Sequence, residues 1–251
     1  MGGGRGRAGG ARVLVGEQAG VSGVLALLYD VHGNLPALEA VLADAAGRGA
    51  DAYLLGGDYA LFGPFPADTV TRLRGLPDAT WLRGNGERWT ADPSDAPDAE
   101  PVPGAIAACR SELGKERVAE LAALPEQEVR DGTRFCHASP ISDVRSFLPE
   151  PGEDEQELLE GVTERRLVFG HTHLPFRRAA AGREIELVNP GSVGMPLDGD
   201  PRAAYALLGA EGAIEHRRVA YDHRASAAAV RERFDGDWTE IVGRRIERAR
   251  F

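Results

Sequence analysis

From residue 24 the chain alternates short apolar runs with stretches of helical period. Val24 to Tyr29 is a continuous apolar run of strand length, after which Leu35, Leu38, Leu42 and Ala45 recur on one helical face. Asn34 is placed to cap that helix and Pro36 falls in its first turn, where the missing N–H costs nothing. Ala52 to Leu55 and Thr80 to Arg83 read as further strands, ending in Gly56-Gly57-Asp58 and Gly84-Asn85. The repeating unit is strand, short motif, helix. Residues 90–103 interleave Pro93, Pro97, Pro101 and Pro103 with acids, so they read as an exposed loop and a candidate lid that sets substrate choice.

Two short helices are expected around residues 105–113 and 115–124. Glu128 to Arg130 and Thr133 to Cys136 then flank Asp131-Gly132, a hairpin signal that delivers His137. An acidic helix over about 154–163 precedes a strand, Leu167 to Phe169, that runs into His171 and His173. Ile185 to Val188, Ala204 to Leu208 and Ala213 to Arg218 read as an antiparallel meander. Val230, Phe234, Trp238 and Ile241 follow helical spacing, interrupted by Gly236.

A length of 251 residues suits one α/β domain, expected over residues 21–251 behind a flexible Gly/Arg-rich leader over residues 1–20. Twenty-nine basic against thirty-nine acidic side chains give a net charge of -10, which disfavours general binding to nucleic acid or to an anionic membrane. Neither longest apolar run approaches the ~20 residues of a spanning helix. With no apolar signal region and only two cysteines, Cys109 and Cys136, the reading is a cytoplasmic chain without a disulfide framework.

The chemistry concentrates in five motifs, each following an apolar stretch: Asp30-Val31-His32, Gly57-Asp58, Gly84-Asn85, His137 and His171-Thr172-His173. Imidazole and carboxylate without thiolate suit borderline divalent transition metals. Seven ligands are too many for one ion and suit two ions sharing a bridging carboxylate. Asp30 with His32, and His171 with His173, are expected to converge because positions i and i+2 of a strand share a side. Two divalent ions against Asp30 and Asp58 leave roughly two positive charges, which attract phosphate. Tyr29 is read as core, and His216 and His223 are assigned nothing.

Over residues 24 to about 208 this ordered set resembles the calcineurin-like metallophosphoesterase superfamily. Asp30-Val31-His32-Gly33-Asn34 and Asn189-Pro190-Gly191-Ser192-Val193-Gly194 are similar to its small bacterial and archaeal phosphodiesterase branch. The resemblance implies an α/β fold, a four-layer αββα sandwich of mixed sheets. It implies that Asp30, His32 and His173 hold one metal, that Asn85, His137 and His171 hold a second, and that Asp58 bridges them. The metals would be manganese, iron, zinc or nickel, and a bridging hydroxide would attack phosphorus in line. Catalysis is then expected to depend on Asp58, His32 and Asn85, with Arg83 and Arg88 as candidate phosphate clamps.

The expected activity is hydrolysis of a phosphomonoester, phosphodiester or phosphoanhydride in a small phosphorylated molecule. A metal-bound phosphate-sensing or scaffold module of weakened activity is the alternative, and a nuclease would need a basic groove that the net charge does not suggest. One position departs from the family pattern, which reads Gly-Asn-His followed by an acid: here the histidine is Gly86. Glu87 beside it is expected to be a solvated or salt-bridged carboxylate, the alternative being a substitute acid if its pKa is raised. The resemblance implies that the family's histidine helps to protonate the leaving group, and loss of a general acid costs ~10²- to 10⁴-fold. Aryl phosphates and phosphoanhydrides, whose leaving groups need little protonation, should therefore turn over well and alkyl phosphates weakly. Equal kcat values for an aryl and an alkyl phosphate, with chemistry limiting both, would contradict this.

Overall fold

The protein, seen in a computed structural model, is described at Met1 and over residues 23–251, so the expected leader falls, Met1 apart, outside the described residues. The strands in chain order are β1 (Val24–Leu28), β2 (Ala50–Leu55), β3 (Ala79–Trp81), β4 (Gln127–Arg130), β5 (Thr133–Cys136), β6 (Arg166–Val168), β7 (Phe176–Ala179), β8 (Glu186–Asn189), β9 (Ala203–Leu208) and β10 (Ile214–Val219). The helices are α1 (Leu35–Gly47), α2 (Pro66–Arg74), α3 (Asn85–Ala91), α4 (Val102–Ala122), α5 (Glu155–Leu158), α6 (His223–Arg233) and α7 (Trp238–Arg248).

β1 is apolar on both faces and accordingly lies in the middle of a sheet ordered β10-β9-β1-β2-β3. Its Leu25 and Leu27, with Tyr29 beyond, meet Phe135, Val168 and Val188 of a second sheet, ordered β4-β5-β6-β8-β7. Tyr29 is core, as its position implies, and its hydroxyl donates to Val168 O. Ala26 and Leu28 face the other way, onto a helical layer that includes Leu38, Val41 and Leu42 of α1, Ile106 of α4 and Val242 of α7. The outer face of the second sheet, Leu167 and Leu187 with Phe169, is covered by Phe147, Leu158, Leu159 and Val162. The four layers are present, but the last is a single turn of helix and irregular chain.

β1, β2 and β3 run parallel, as do β5, β6 and β8. Their carboxyl ends gather the motif loops on one edge of the sandwich, where open α/β sheets bind ligands. Asn34 caps α1 by accepting from Ala37 N, and Asp131 and Gly132 take the left-handed conformations a tight β4–β5 turn requires. Gly114, at φ 73°, divides α4 where two helices were expected. Gly236, at φ 107°, likewise separates α6 from α7.

Three expectations are corrected. The acidic helix over 154–163 shrinks to α5, because Glu155 turns inward to Arg178 and Ala181 N and Gly161 turns left-handed at φ 74°. The later strands form no single meander. β8 belongs to the second sheet, parallel to β6 and antiparallel to the unexpected β7, while β9 and β10 lie in the first, where β9 pairs antiparallel with both β10 and β1. Residues 90–103 supply the end of α3, a short 3-10 turn at Pro93–Asp95 and the start of α4. The cavity of about 390 Å³ that reaches His137 is walled by Ser139 to Val144, and the 90–103 segment touches its wall through Asp95, which pairs with Arg88.

Phe135 joins the two sheets one residue before Cys136 and two before His137. Phe135→Ala should lower unfolding free energy by about 3–5 kcal/mol in chemical denaturation. A loss under ~1 kcal/mol would show that the inter-sheet core is not what fixes the hairpin.

Candidate metal centre

The seven sequence-predicted ligands meet at the carboxyl ends of β1, β2, β3, β5 and β6. Asp30, His32, Asp58, Asn85, His137 and His173 are buried, and His171 is partly so. Strand alternation is not what aims them. Asp30, His32, Asp58, His171 and His173 all take left-handed backbone, with φ between 49° and 67°. Such conformations cost roughly 1–3 kcal/mol each outside glycine and persist only where the surroundings over-determine them. Here they do: Asp30 N donates to Gly57 O and His32 N to Asp58 O, while His171 N donates to Asp30 Oδ2. Gly57 must lack a side chain, since a Cβ there would stand 2.6 Å from Gly84 N and 2.8 Å from His137 Nδ1.

Backbone carbonyls fix three of the rings. Nδ1 of His32, His137 and His173 lies 2.9, 2.8 and 2.6 Å from the carbonyls of Leu61, Gly56 and Met195. Each Nδ1–H donates outward, which leaves the Nε2 lone pair facing the cluster, the outer-shell pattern of metal-ligating histidine. Nε2 of His32 and His173 then stand 3.0 Å apart, and His173 Nε2 is 3.5 Å from Asp30 Oδ1. Asp30 Oδ1 is buried and has no hydrogen-bond partner. Asp58 reaches both groups, with Oδ2 3.8 Å from His32 Nε2 and Oδ1 3.5 Å from His137 Nε2. Asn85 Oδ1 faces His137 Nε2 at 2.9 Å and His171 Nδ1 at 2.8 Å. Turned over, its amide would instead donate to both rings and to Asp143 O. With the oxygen inward, converging lone pairs and an orphaned carboxylate oxygen are what a cation satisfies, so the donor set fits divalent metal.

The local electrostatics agree. Burial and the neighbouring His173 push His32 down to about 4, and burial with His137 pushes His171 down to about 4, so both are neutral ligands at pH 7. Burial alone would lower His137, but the charges of Asp58 and Asp30 carry it upward. Burial would raise the Asp30 carboxyl, yet His173, His137 and His32 hold it well below the usual carboxylate range.

Glu87 is corrected: it is neither solvated nor salt-bridged. Its buried carboxyl accepts from Asp58 N, Gly84 N and Tyr59 N at 2.8–2.9 Å, and burial with the Asp58 charge pushes it up to about 7. It clasps the Asp58 loop from beneath. Gly86 N donates to Asp58 Oδ1 at 2.7 Å, and a Cβ at Gly86 would meet that oxygen at 2.8 Å. The 189–195 loop also has a role that composition did not disclose. Ser192 Oγ and Gly194 N donate to Asp30 O, Asn189 Nδ2 donates to Gly170 O and Thr172 Oγ1, and Met195 O orients His173. The only sign of it in the chain was the Asn-Pro-Gly-Ser-Val-Gly run itself.

Arg83 and Arg88 line the cavity that reaches His137, but carboxylates already hold them. Arg88 makes two 2.7 Å bonds to Asp143, and Arg83 pairs with Glu126. His216 lies apart from the cluster, against Asn189 O.

The neutral histidines carry a pH consequence. Between pH 6.5 and about 4 the unfolded chain protonates positions 32 and 171 while the folded chain does not. Their contribution is therefore complete above pH 6.5 and lost as pH falls toward 4. Glu87 and His137, both shifted upward, act in the opposite sense, so the check is a comparison: between pH 7.5 and pH 5 the urea midpoint of the chelated protein should fall further than that of its His32→Asn/His171→Asn variant, and an equal fall would contradict these assignments.

Residues 24–212 match the calcineurin-like phosphoesterase superfamily domain. The chain is 30% identical over 226 residues to the uncharacterized protein MJ0912 of Methanocaldococcus jannaschii, covering 80% of this chain and 89% of that one. It is 31% identical over 189 residues to phosphodiesterase YfcE of Escherichia coli K12, covering 71% and 83%. The crystal structure of a metallophosphoesterase from Sphaerobacter thermophilus superposes with a TM-score of 0.78 at 25% identity, over 91% of this chain and 99% of that one. No helix among the described residues is long and apolar enough to cross a membrane. The chain thus belongs to the calcineurin-like phosphoesterase superfamily, as a metal-dependent hydrolase acting on ester bonds.

Proposed function

We propose that this protein hydrolyses a phosphoester or phosphoanhydride bond of a small phosphorylated molecule at a two-cation centre. Asp30, His32 and His173 would hold one ion, Asn85, His137 and His171 the other, and Asp58 both. The observation that carries the reading is the facing of the Nε2 atoms of His32 and His173 beside an unpartnered Asp30 Oδ1, with Asp58 between the two sets of rings. Nitrogen and oxygen donors without thiolate suit manganese, iron, zinc or nickel. When bound, two such ions would supply Lewis acidity at the phosphoryl oxygens and an activated water.

The chain's own residues do the rest. Asn85 contributes a ligand without charge, so two divalent ions against Asp30 and Asp58 keep roughly two positive charges for phosphate. The Glu87 clasp and the Gly86 N–H hold the Asp58 loop and its carboxylate. The substrate would extend from the ions into the cavity of about 390 Å³ beside His137. Arg83 and Arg88 stand on its wall, and to touch phosphate they must exchange the carboxylates of Glu126 and Asp143 for it. The phosphodiesterase name of the YfcE relative favours a diester, and the buried free thiols of Cys109 and Cys136 suit the reducing cytoplasm.

Metal-reconstituted protein should release p-nitrophenol from bis(p-nitrophenyl) phosphate. Asp58→Asn should reduce kcat by more than the ~10- to 100-fold that loss of an outer-shell partner costs. Metal-dependent release no greater than that of Asp58→Asn would overturn the proposal in favour of the scaffold reading.

A further inference from the structure

At the opposite end of the sandwich from the histidines, the amino ends of β1, β5 and β6 enclose a second cavity of about 430 Å³. Strand register explains its lining. Arg130 of β4 pairs with Thr133 of β5, Thr133 with Arg166 of β6, and Arg166 with Glu186 of β8. Cross-strand partners share a face, and positions two residues further along keep it. Those positions on β5, β6 and β8 are Phe135, Val168 and Val188, the residues of the inter-sheet core. The row of Arg130, Thr133 and Arg166 therefore projects between the sheets at their open mouth, opposite Leu25 and Leu208.

Arg166 is 7% exposed; its Nε donates to Glu186 and its Nη2 to Gly212 O at 2.6 Å. Its Nη1 is buried without an acceptor among the described residues, as is Nη2 of Arg130. Arg165 lines the same cavity. The carboxylates of Asp131 and Glu211 line it too, and neither forms an ion pair with an arginine among the described residues. Glu186 is shared between Arg166 and Arg177. A buried guanidinium N–H without an acceptor costs roughly 1–3 kcal/mol or more, and a planar fork of donors matches an oxyanion.

We infer that this distal cavity is a binding site for a small organic oxyanion, with an acidic head toward Arg130, Arg165 and Arg166 and an apolar body against Leu25, Phe135 and Leu208. The site is independent of the metal centre and of the phosphoesterase reading. Phenylphosphonate, which has no ester to hydrolyse, is a suitable probe, with benzoate as the carboxylate counterpart.

Calorimetric titration of phenylphosphonate into the full-length protein should reveal saturable binding that survives chelation, since chelation removes any phosphonate held by metal. Arg130→Gln, on an edge strand, should weaken that binding at least tenfold, and Arg165→Gln, at an exposed position, should weaken it as well. Both variants should keep their metal-dependent turnover. Displacement by benzoate would assign the head site to oxyanions generally, and its failure would restrict the site to phosphoryl groups. Absence of chelator-resistant binding, or binding that both variants leave intact, would overturn the inference.

Discussion

The structure depends on one electrostatic constraint: lone pairs of four imidazoles, two carboxylates and one amide are packed face to face where water scarcely reaches. Backbone carbonyls of Leu61, Gly56 and Met195 occupy the Nδ1–H groups of three rings, so in their neutral form those rings have no proton to offer one another across the cluster. In a low-dielectric crevice such an arrangement is repulsive unless positive charge enters it. Divalent cations would remove the conflict. On the proposed reading, a neutral ligand at position 85 would keep the sum positive and so draw phosphate.

Holding that arrangement falls to chain geometry far from any ion. Parallel strands in two sheets end on the same edge, and the loops beyond them bond mainly to one another. β1 and β2 are tied by Asp30 N to Gly57 O and His32 N to Asp58 O. β2 and α3 are tied by the Glu87 carboxyl, and β1 and the loop after β8 by Ser192 and Gly194 to Asp30 O. Each left-handed ligand residue is fastened from at least one neighbouring loop, so strain that would relax in an isolated turn is retained here. The close approach is possible because Gly57 has no side chain to separate the β2 loop from Gly84 and His137.

Much of this was legible in the chain because it is local. The two-faced burial of β1, the Asn34 cap, the Asp131-Gly132 turn and the break at Gly114 depend on residues within a few positions of each other. The candidate ligand set was legible for a different reason: the two imidazoles of Gly-His-x-His at the mouth of a buried strand are costly unless something binds them, and all five motifs in this order are improbable by accident. Membership of a sheet was not legible. Leu187 and Val188 are both fully buried, and nothing nearby in the chain says that they pair with Leu167 and Val168 in parallel rather than with β9. Glu87 escaped for the same reason, since the amides that make burial of its carboxyl tolerable come from Asp58 and Tyr59, nearly thirty residues away. Arg88 read as a candidate phosphate clamp because its partner, Asp143, lies 55 residues downstream. Strand alternation foresaw convergence of Asp30 with His32 correctly but for the wrong reason, as both turn left-handed.

The most direct test of the two-cation centre is its stoichiometry. Elemental analysis of gently purified protein, followed by titration of the chelated protein with Mn²⁺ or Zn²⁺, should give two tightly held ions per chain, with both weakened together by removal of the shared carboxylate in Asp58→Asn. Uptake of no ion, or of one ion whose affinity Asp58→Asn leaves unchanged, would contradict the account.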